Sequence, residues 1–156
     1  MTQAVSQTGS FTCPSADKVE IIGLHPSWLD DELIEKLRLH LDPAIDRSRK
    51  RISWDEILQK TRAFNMQLWI SMCLDEMIGA AVTHVVRWGT GRKSLELILA
   101  GGKFNMHRNT EPTMKALEEF AANTGCDTVM VTGRKGWGRA LPAGYEFSHA
   151  VFEKEL

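Results

Sequence analysis

Apolar residues in the first third of the chain follow first a strand-like and then a helical pattern. The stretch KVEIIGLHP, residues 18–26, predicts a short strand. The apolar positions after it recur at the spacing of one helical face: Trp28, Leu29, Leu33, Ile34, Leu37 and Leu41. The segment DPAIDRSRKR interrupts this period, and the spacing of Ser53 and Glu56 is that of a capping box, which opens a second short helix. Two helices are therefore expected after the first strand.

The middle of the chain is predicted to form three strands. They cover Met66–Cys73, Met77–Trp88 and Ser94–Ala100. The separators LDE and GTGRK have the length of hairpin loops, so these strands are expected to be antiparallel neighbours.

The last third predicts one longer helix and two further strands. The helix is expected over Glu111–Asn123, with Pro112 in its first turn, where proline is tolerated, and Gly125 just past its end. DTVMVTG predicts a buried strand, a short helix follows it, and SHAVFEKEL predicts a final strand. The predicted fold class is α+β, a mixed and mostly antiparallel sheet of about six strands with helices on both faces.

The charge of the chain argues against a general attraction to polyanions. There are 19 basic and 20 acidic residues, for a formal net charge of −1. Any nucleic-acid contact would therefore be local, through the basic loop Arg47, Arg49, Lys50 and Arg51. The five histidines show no metal-ligand spacing.

The start of the chain has a different composition from the rest. Residues 1–17 are polar and offer little surface to bury, so they are predicted to be a flexible arm, and residues 18–156 a single domain. No stretch approaches the roughly 18 apolar residues of a membrane helix, and the start carries no export signal. A soluble protein is expected.

Several segments after the arm resemble one protein family. They include QLWI, IGAAVTHVVRW and LELILAGGKFNM; the most specific is GCD followed by a strand, GRKGW, a short helix and GY. Together with the order of elements, these segments resemble GNAT-like proteins, which have the N-acetyltransferase fold, encoded by tailed bacteriophages. The likeness covers residues 18–156 and implies a GNAT-like sheet. The members of the family include acetyltransferases as well as virion and internal proteins.

The resemblance also implies where a coenzyme would bind. In active GNAT enzymes acetyl-CoA lies where the fourth and fifth strands separate, and backbone N–H groups at a glycine-rich helix start hold its pyrophosphate. The corresponding stretch here is GGKFNMHRNTEPTMKAL, and the expected helix start contains Glu111 and Pro112. Proline removes an N–H donor and glutamate places a negative charge beside the anion, so no cofactor is expected. The alternative is acetyl-CoA held by an atypical loop, with the candidate residues Ala100, Gly101, Gly102, Lys103, His107, Arg108 and Arg134.

No catalytic residue is predicted. The family pattern implies a tyrosine on the last short helix that protonates the leaving thiolate, and the corresponding position holds Ala140. The only tyrosine of the chain, Tyr145, occupies the glycine–aromatic position of the family and is expected to fill the core. Glu76 or Glu96 would serve as a base only if it faced the cleft, which strand alternation does not decide.

These expectations favour a non-catalytic GNAT-like phage protein. It would be a virion or assembly component that contacts phage structural proteins, located in the virion or the host cytoplasm. The alternative is an acetyl-CoA-dependent N-acyltransferase with an atypical coenzyme loop, which the implied arrangement of the fourth and fifth strands favours.

Overall fold

The structure is a computed structural model that describes residues 18–102, 106–133 and 135–156, without the side chains of residues 106–109 and 135. The predicted arm, residues 1–17, lies outside the described residues. Among the described residues, no helix combines the length and the apolar character needed to cross a membrane.

The strands and helices follow the predicted order up to the fifth strand. The strands are β1 (Val19–Gly23), β2 (Gln67–Cys73), β3 (Glu76–Arg87), β4 (Lys93–Gly102) and β5 (Thr128–Val131). The helices are α1 (Asp31–Asp46), α2 (Trp54–Arg62) and α3 (Met106–Asn123), with 3₁₀ turns at Pro26–Trp28 and Lys135–Arg139.

The five strands form one sheet in sequence order, β1-β2-β3-β4-β5. The pairs β1–β2, β2–β3 and β3–β4 are antiparallel. Hairpin-length connections join β2 to β3 and β3 to β4, whereas α1 and α2 lie between β1 and β2. The pair β4–β5 is parallel, because α3 carries the chain back before β5 begins. The predicted fold class is confirmed, with five strands in the described part of the chain instead of about six.

The predicted final strand over SHAVFEKEL is wrong. Residues 146–156 have no regular secondary structure, and Phe147 and Phe152 are 84% and 94% exposed. Local alternation of apolar residues favours a strand, but a strand also needs a neighbour for its backbone groups, and none of the described strands pairs with this segment.

Two helices differ from their predicted bounds. Helix α1 starts at the N-cap Asp30, whose Oδ1 accepts from the Leu33 N–H at 2.8 Å, and it continues through Pro43 to Asp46. Helix α3 starts at Met106, five residues before the predicted Glu111, and Pro112 lies inside it. A proline inside a helix removes one N–H donor without ending the helix when the residues on both sides keep helical geometry. The capping serine of α2 is confirmed, since Ser53 Oγ accepts from the Glu56 N–H at 3.2 Å.

Helices pack on both faces of the sheet, as predicted. Helices α1 and α2 cover one face, with a core of Leu37, Leu41, Ile57, Leu68, Ile70, Val82 and Leu99. Helix α3 covers the other face, with a core of Trp69, Leu95, Leu97, Met114 and Leu117. Strand β4 contributes side chains to both cores, Leu99 to the first and Leu95 and Leu97 to the second.

Candidate functional site

The sheet opens between β4 and β5. The two strands pair from Ser94 with Thr128 to Leu97 with Val131, and the Thr132 N–H then donates to the Leu97 carbonyl at 3.1 Å. Strand β4 continues to Gly102, but β5 ends at Val131, so the last five residues of β4 have no pairing partner in β5. This separation is the gap that the resemblance to GNAT proteins implies.

A bulge in β4 lies at the start of the gap. Thr83 of β3 pairs with Leu97 and Val82 pairs with Leu99, so Ile98 is an extra residue in β4. A bulge changes the direction of the side chains that follow it and often lies beside an active site. Before the bulge Leu97 packs toward α3, whereas after it Leu99 packs toward α1.

A large cleft of about 1740 Å³ lies at this opening. Its walls are α1, the loop between α1 and α2 (residues 47–53), the second half of β4, and the end of β5 through Gly133 and Trp137. Of the predicted coenzyme residues, Ala100, Gly101 and Gly102 line the cleft. Lys103 and Arg134 lie outside the described residues, as do the side chains of His107 and Arg108. Their assignment stays a prediction.

Gly101 also has a packing role that the sequence did not suggest. A Cβ atom at this position would overlap the backbone carbonyl oxygen of His40 in α1 and would lie 3.1 Å from its carbonyl carbon. The absence of a side chain at Gly101 therefore lets α1 approach β4 closely and fixes the floor of the cleft.

Glu96 and His84 form an ionisable pair on the β3–β4 side of the cleft. They face each other across the β3–β4 pair, with Glu96 Oε1 and His84 Nε2 3.0 Å apart, and both line the cleft. Leu95 and Leu97 point into the α3 core, so Glu96 points to the opposite face, toward the cleft. The two side chains are 18% and 31% exposed, which leaves the pair accessible to a substrate.

Sequence reasoning left the orientation of Glu96 open and did not join it to His84. The signal that joins them is the register of β3 against β4: His84 and Glu96 lie between the hairpin turn and the bulge, so the pairing of Arg87 with Lys93 beside the turn sets their pairing. Glu76, the other candidate base, also lines the cleft, near the β2–β3 turn.

Tyr145 is placed away from the cleft. Its hydroxyl donates to Glu118 Oε1 at 2.8 Å, and its ring packs against the α3 core, as predicted. Partial burial, with the Glu118 carboxylate beside it, raises the pKa of Tyr145 above its usual value. Tyr145 is therefore not positioned to protonate a leaving group in the cleft.

The loop between α1 and α2 brings basic side chains to the mouth of the cleft. Arg47, Arg49 and Arg51 line it, and Glu153 from the end of the chain binds two of them. Arg51 Nη2 donates to Glu153 Oε2 at 2.6 Å, and Arg49 Nη1 lies 3.2 Å from Glu153 Oε1. The hydrogen bond from Arg51 lowers the pKa of Glu153. A nucleic-acid contact through this loop stays a prediction.

The start of α3 overturns the argument against a coenzyme. Because the helix begins at Met106, Glu111 and Pro112 lie in its second turn and not at its N-terminus. The free N–H groups of a helix belong to its first turn, so neither residue removes a donor from that end or places a charge directly on it.

The comparisons with known proteins agree with the fold. The sequence matches no protein-family model, and no curated protein matches it. An aminoglycoside acetyltransferase from an uncultured soil metagenomic sample, solved in complex with sisomicin, has a TM-score of 0.65 at 15% identity, over 90% of this chain and 97% of that chain. A GNAT family acetyltransferase of Staphylococcus aureus has a TM-score of 0.60 at 16% identity, over 87% and 98%. The ribosomal-protein-alanine N-acetyltransferase of Brucella melitensis has a TM-score of 0.57 at 12% identity, over 88% and 99%.

These structures establish that the chain has the GNAT fold, and they correct two expectations. The expectation of a non-catalytic protein is wrong, as is that of no cofactor, because the chain is structurally similar to GNAT acetyltransferases over most of its length. The expectation of no cofactor depended on an acid and a proline at the start of α3, where the structure does not place them, and that of a non-catalytic protein depended in addition on the missing tyrosine at Ala140. The solved structures give no support to a phage origin.

Proposed function

We propose that the protein is an acetyl-CoA-dependent N-acyltransferase. The observation that carries the proposal is that the Glu96–His84 pair lies in the same cleft as the separated ends of β4 and β5. An acid–base pair and a place for an acyl donor are the two parts that such a reaction needs.

The residues around the gap fit acetyl-CoA. Beyond Leu97, β4 has backbone groups on its open side that β5 does not pair with, and these can hydrogen-bond the extended arm of the coenzyme. Helix α3 begins at Met106, a few residues after Gly102, so the N–H groups of its first turn follow directly. Such N–H groups favour an anion like a pyrophosphate.

Acetyl-CoA would supply an activated acetyl group, whose transfer forms an amide and releases a thiol. An alkyl amine is protonated near neutral pH and has no lone pair for attack, so a base must first remove a proton. Glu96 can accept that proton, and His84 is within hydrogen-bond distance to share it and to hold the carboxylate in one orientation.

A general acid for the leaving group is not a requirement of this site. The chain has one tyrosine, and its hydroxyl is bound to Glu118 on the α3 side. A thiol ionises at a pKa of about 8.5, so a thiolate can leave without being protonated first. The missing tyrosine at Ala140 is therefore compatible with catalysis.

The test separates binding from chemistry. Isothermal titration with acetyl-CoA should show binding that Glu96→Gln leaves unchanged, since Glu96 is assigned to proton transfer. In an acetyl-transfer assay Glu96→Gln should lower kcat by about 10²- to 10⁴-fold, the usual contribution of a positioned base. Glu155→Gln, at an exposed residue near the C-terminus, is the control. Absence of binding at millimolar acetyl-CoA, or unchanged turnover in Glu96→Gln, would contradict the proposal.

The fold does not specify the acceptor. One of the similar proteins is an aminoglycoside acetyltransferase and another is a ribosomal-protein-alanine N-acetyltransferase, so their acceptors differ. At 12–16% identity the likeness concerns the fold alone. The acceptor has to be inferred from the side chains of this cleft.

A further inference from the structure

Two arginines at the mouth of the cleft hold a single carboxylate. Arg49 and Arg51 each contact a different oxygen of Glu153, at 3.2 and 2.6 Å. Guanidinium groups on both oxygens of a carboxylate are a geometry of specific carboxylate recognition. Both arginines also line the cleft that contains Glu96 and His84.

The backbone of this loop has an unusual conformation. Arg49 and Lys50 are consecutive non-glycine residues with positive φ angles of 58° and 62°. Such residues cost about 1 kcal/mol or more each, and they cluster at functional sites, where the surrounding structure maintains them. The loop begins at the end of α1, where Ser48 Oγ donates to the Ile45 carbonyl at 2.6 Å. The surrounding structure, and not the intrinsic preference of these residues, therefore sets the backbone conformation of the loop that carries the arginines.

The charge on this side of the cleft is positive. The loop contains four basic residues and no acidic one: Arg47, Arg49, Lys50 and Arg51. Lys36 and Lys60 also line the cleft, but each is paired with a glutamate one turn earlier in its helix, Lys36 with Glu32 at 3.2 Å, so the net positive charge lies on the loop. Two of the acidic lining residues are already engaged, Glu56 with Lys60 at 2.7 Å and Glu96 with His84. Asp75 and Glu76 lie in the β2–β3 turn and β3, not on the α1–α2 loop.

We propose that Arg49 and Arg51 bind a carboxylate of the acceptor, and that Glu153 occupies this site until the acceptor displaces it. The inference deepens the proposed function and rests on it, since it names the acceptor as an amine that also carries a carboxylate. The same positive charge disfavours polycationic amines. The C-terminal segment then competes with the substrate, because Glu153 and the acceptor use the same two guanidinium groups.

Direct binding tests the arginine site without the coenzyme. Glutarate is titrated into the full-length protein, with glutaramide as its uncharged match, and the arginine side-chain N–H signals are followed by NMR. Glutarate should shift the signals of Arg49 and Arg51 to saturation, and glutaramide should not. Glu153→Gln should tighten glutarate binding by about two- to fivefold, the worth of an exposed ion pair.

The variants separate recognition from structure. Glu155→Gln, on the same segment and with no ion pair among the described residues, should leave the affinity for glutarate unchanged. The double variant R49Q/R51Q should lose binding, and R49K/R51K should fall between, because lysine keeps the charge without the fork geometry. If the ion pair only stabilised the fold, removal of Glu153 and removal of the arginines would change the affinity for glutarate in the same direction. If the arginines bind the carboxylate, removal of Glu153 should raise this affinity and removal of the arginines should lower it.

Transfer assays test the link to the reaction. 5-Aminopentanoate should be acetylated about tenfold or more better in kcat/KM than pentylamine, since hydrogen bonds to a charged group contribute roughly 1.5–3 kcal/mol. In R49Q/R51Q the ratio of kcat/KM for 5-aminopentanoate to that for pentylamine should fall toward one, while acetyl-CoA binding stays unchanged. Failure of acetyl-CoA to bind would refute the proposed function alone, since glutarate still tests the arginine site.

Three results would overturn the inference. The first is that glutarate shifts the NMR signals of neither arginine. The second is that Glu153→Gln binds glutarate no more tightly than Glu155→Gln does. The third is that 5-aminopentanoate and pentylamine are acetylated with equal kcat/KM. No transfer to either amine by a protein that binds acetyl-CoA would also overturn it.

Discussion

Gly101→Ala tests whether the close contact between α1 and β4 shapes the cleft. The added methyl group would overlap the His40 carbonyl oxygen, which is backbone and cannot rotate away as a side chain can. Restoring an ordinary contact requires α1 and β4 to separate by roughly 1.4 Å or more. Overpacking of this kind costs about 1–3 kcal/mol.

The expected loss is measurable by thermal and urea unfolding. For a domain of this size 1 kcal/mol corresponds to roughly 2–4 °C in Tm, so Gly101→Ala should lower the Tm by about 2–12 °C. Gly89→Ala is the matched control, because no heavy atom lies within 4 Å of its added Cβ and its φ is not positive. The control should be neutral, or stabilising by up to about 1 kcal/mol, through the unfolded state.

A Gly101→Ala protein as stable as Gly89→Ala would refute this reasoning. It would mean that the two backbones do not approach as closely as the structure shows. If such a protein had also lost acetyl-CoA binding, the glycine would serve the coenzyme, as the sequence suggested, and not the packing of α1.

Two further predictions concern the polar groups of the core. The Trp69 Nε1–H donates to Thr83 Oγ1 at 2.9 Å, and the Thr83 hydroxyl donates to Gln67 Oε1 at 2.9 Å. Thr83→Val should therefore lower the free energy of unfolding by about 1–3 kcal/mol in urea unfolding. Thr83→Ser keeps the hydroxyl, so an equal loss of unfolding free energy in that variant would contradict this account. Tyr145 has a raised pKa in the folded state, so its contribution to stability is present below the unfolded pKa of about 10 and is lost as the pH rises above it. Between pH 9 and 11 the unfolding free energy should therefore fall more steeply in the natural protein than in Tyr145→Phe, and parallel curves would refute the assignment.

Local patterns predicted most of the secondary structure. The period of α1, the capping serine of α2 and the hairpin spacing of β2, β3 and β4 are properties of neighbouring residues, and the structure confirms them. The two errors in α1 and α3 both concern prolines. Pro43 and Pro112 were taken as a break and a start, whereas each lies inside a helix that continues on both sides of it.

The candidate site was predicted only in part. The resemblance gave the gap between β4 and β5 and placed Ala100, Gly101 and Gly102 beside it. The error at the start of α3 and the missing tyrosine at Ala140 together led to the wrong function. Five residues of helix decide whether Glu111 lies at the N-terminus or a turn away from it.

The sequence by itself determined the order of the elements through β5 and the two apolar faces of the sheet, because those depend on the periods of residues close in the chain. Tertiary structure decided which polar residues meet. Glu96 reaches His84 through the register of two strands, and Glu153 reaches Arg49 and Arg51 across about a hundred residues of chain. The hairpin turn sets the first contact, but no local pattern encodes the second, since it depends on how the end of α1 and the final segment meet in the folded chain.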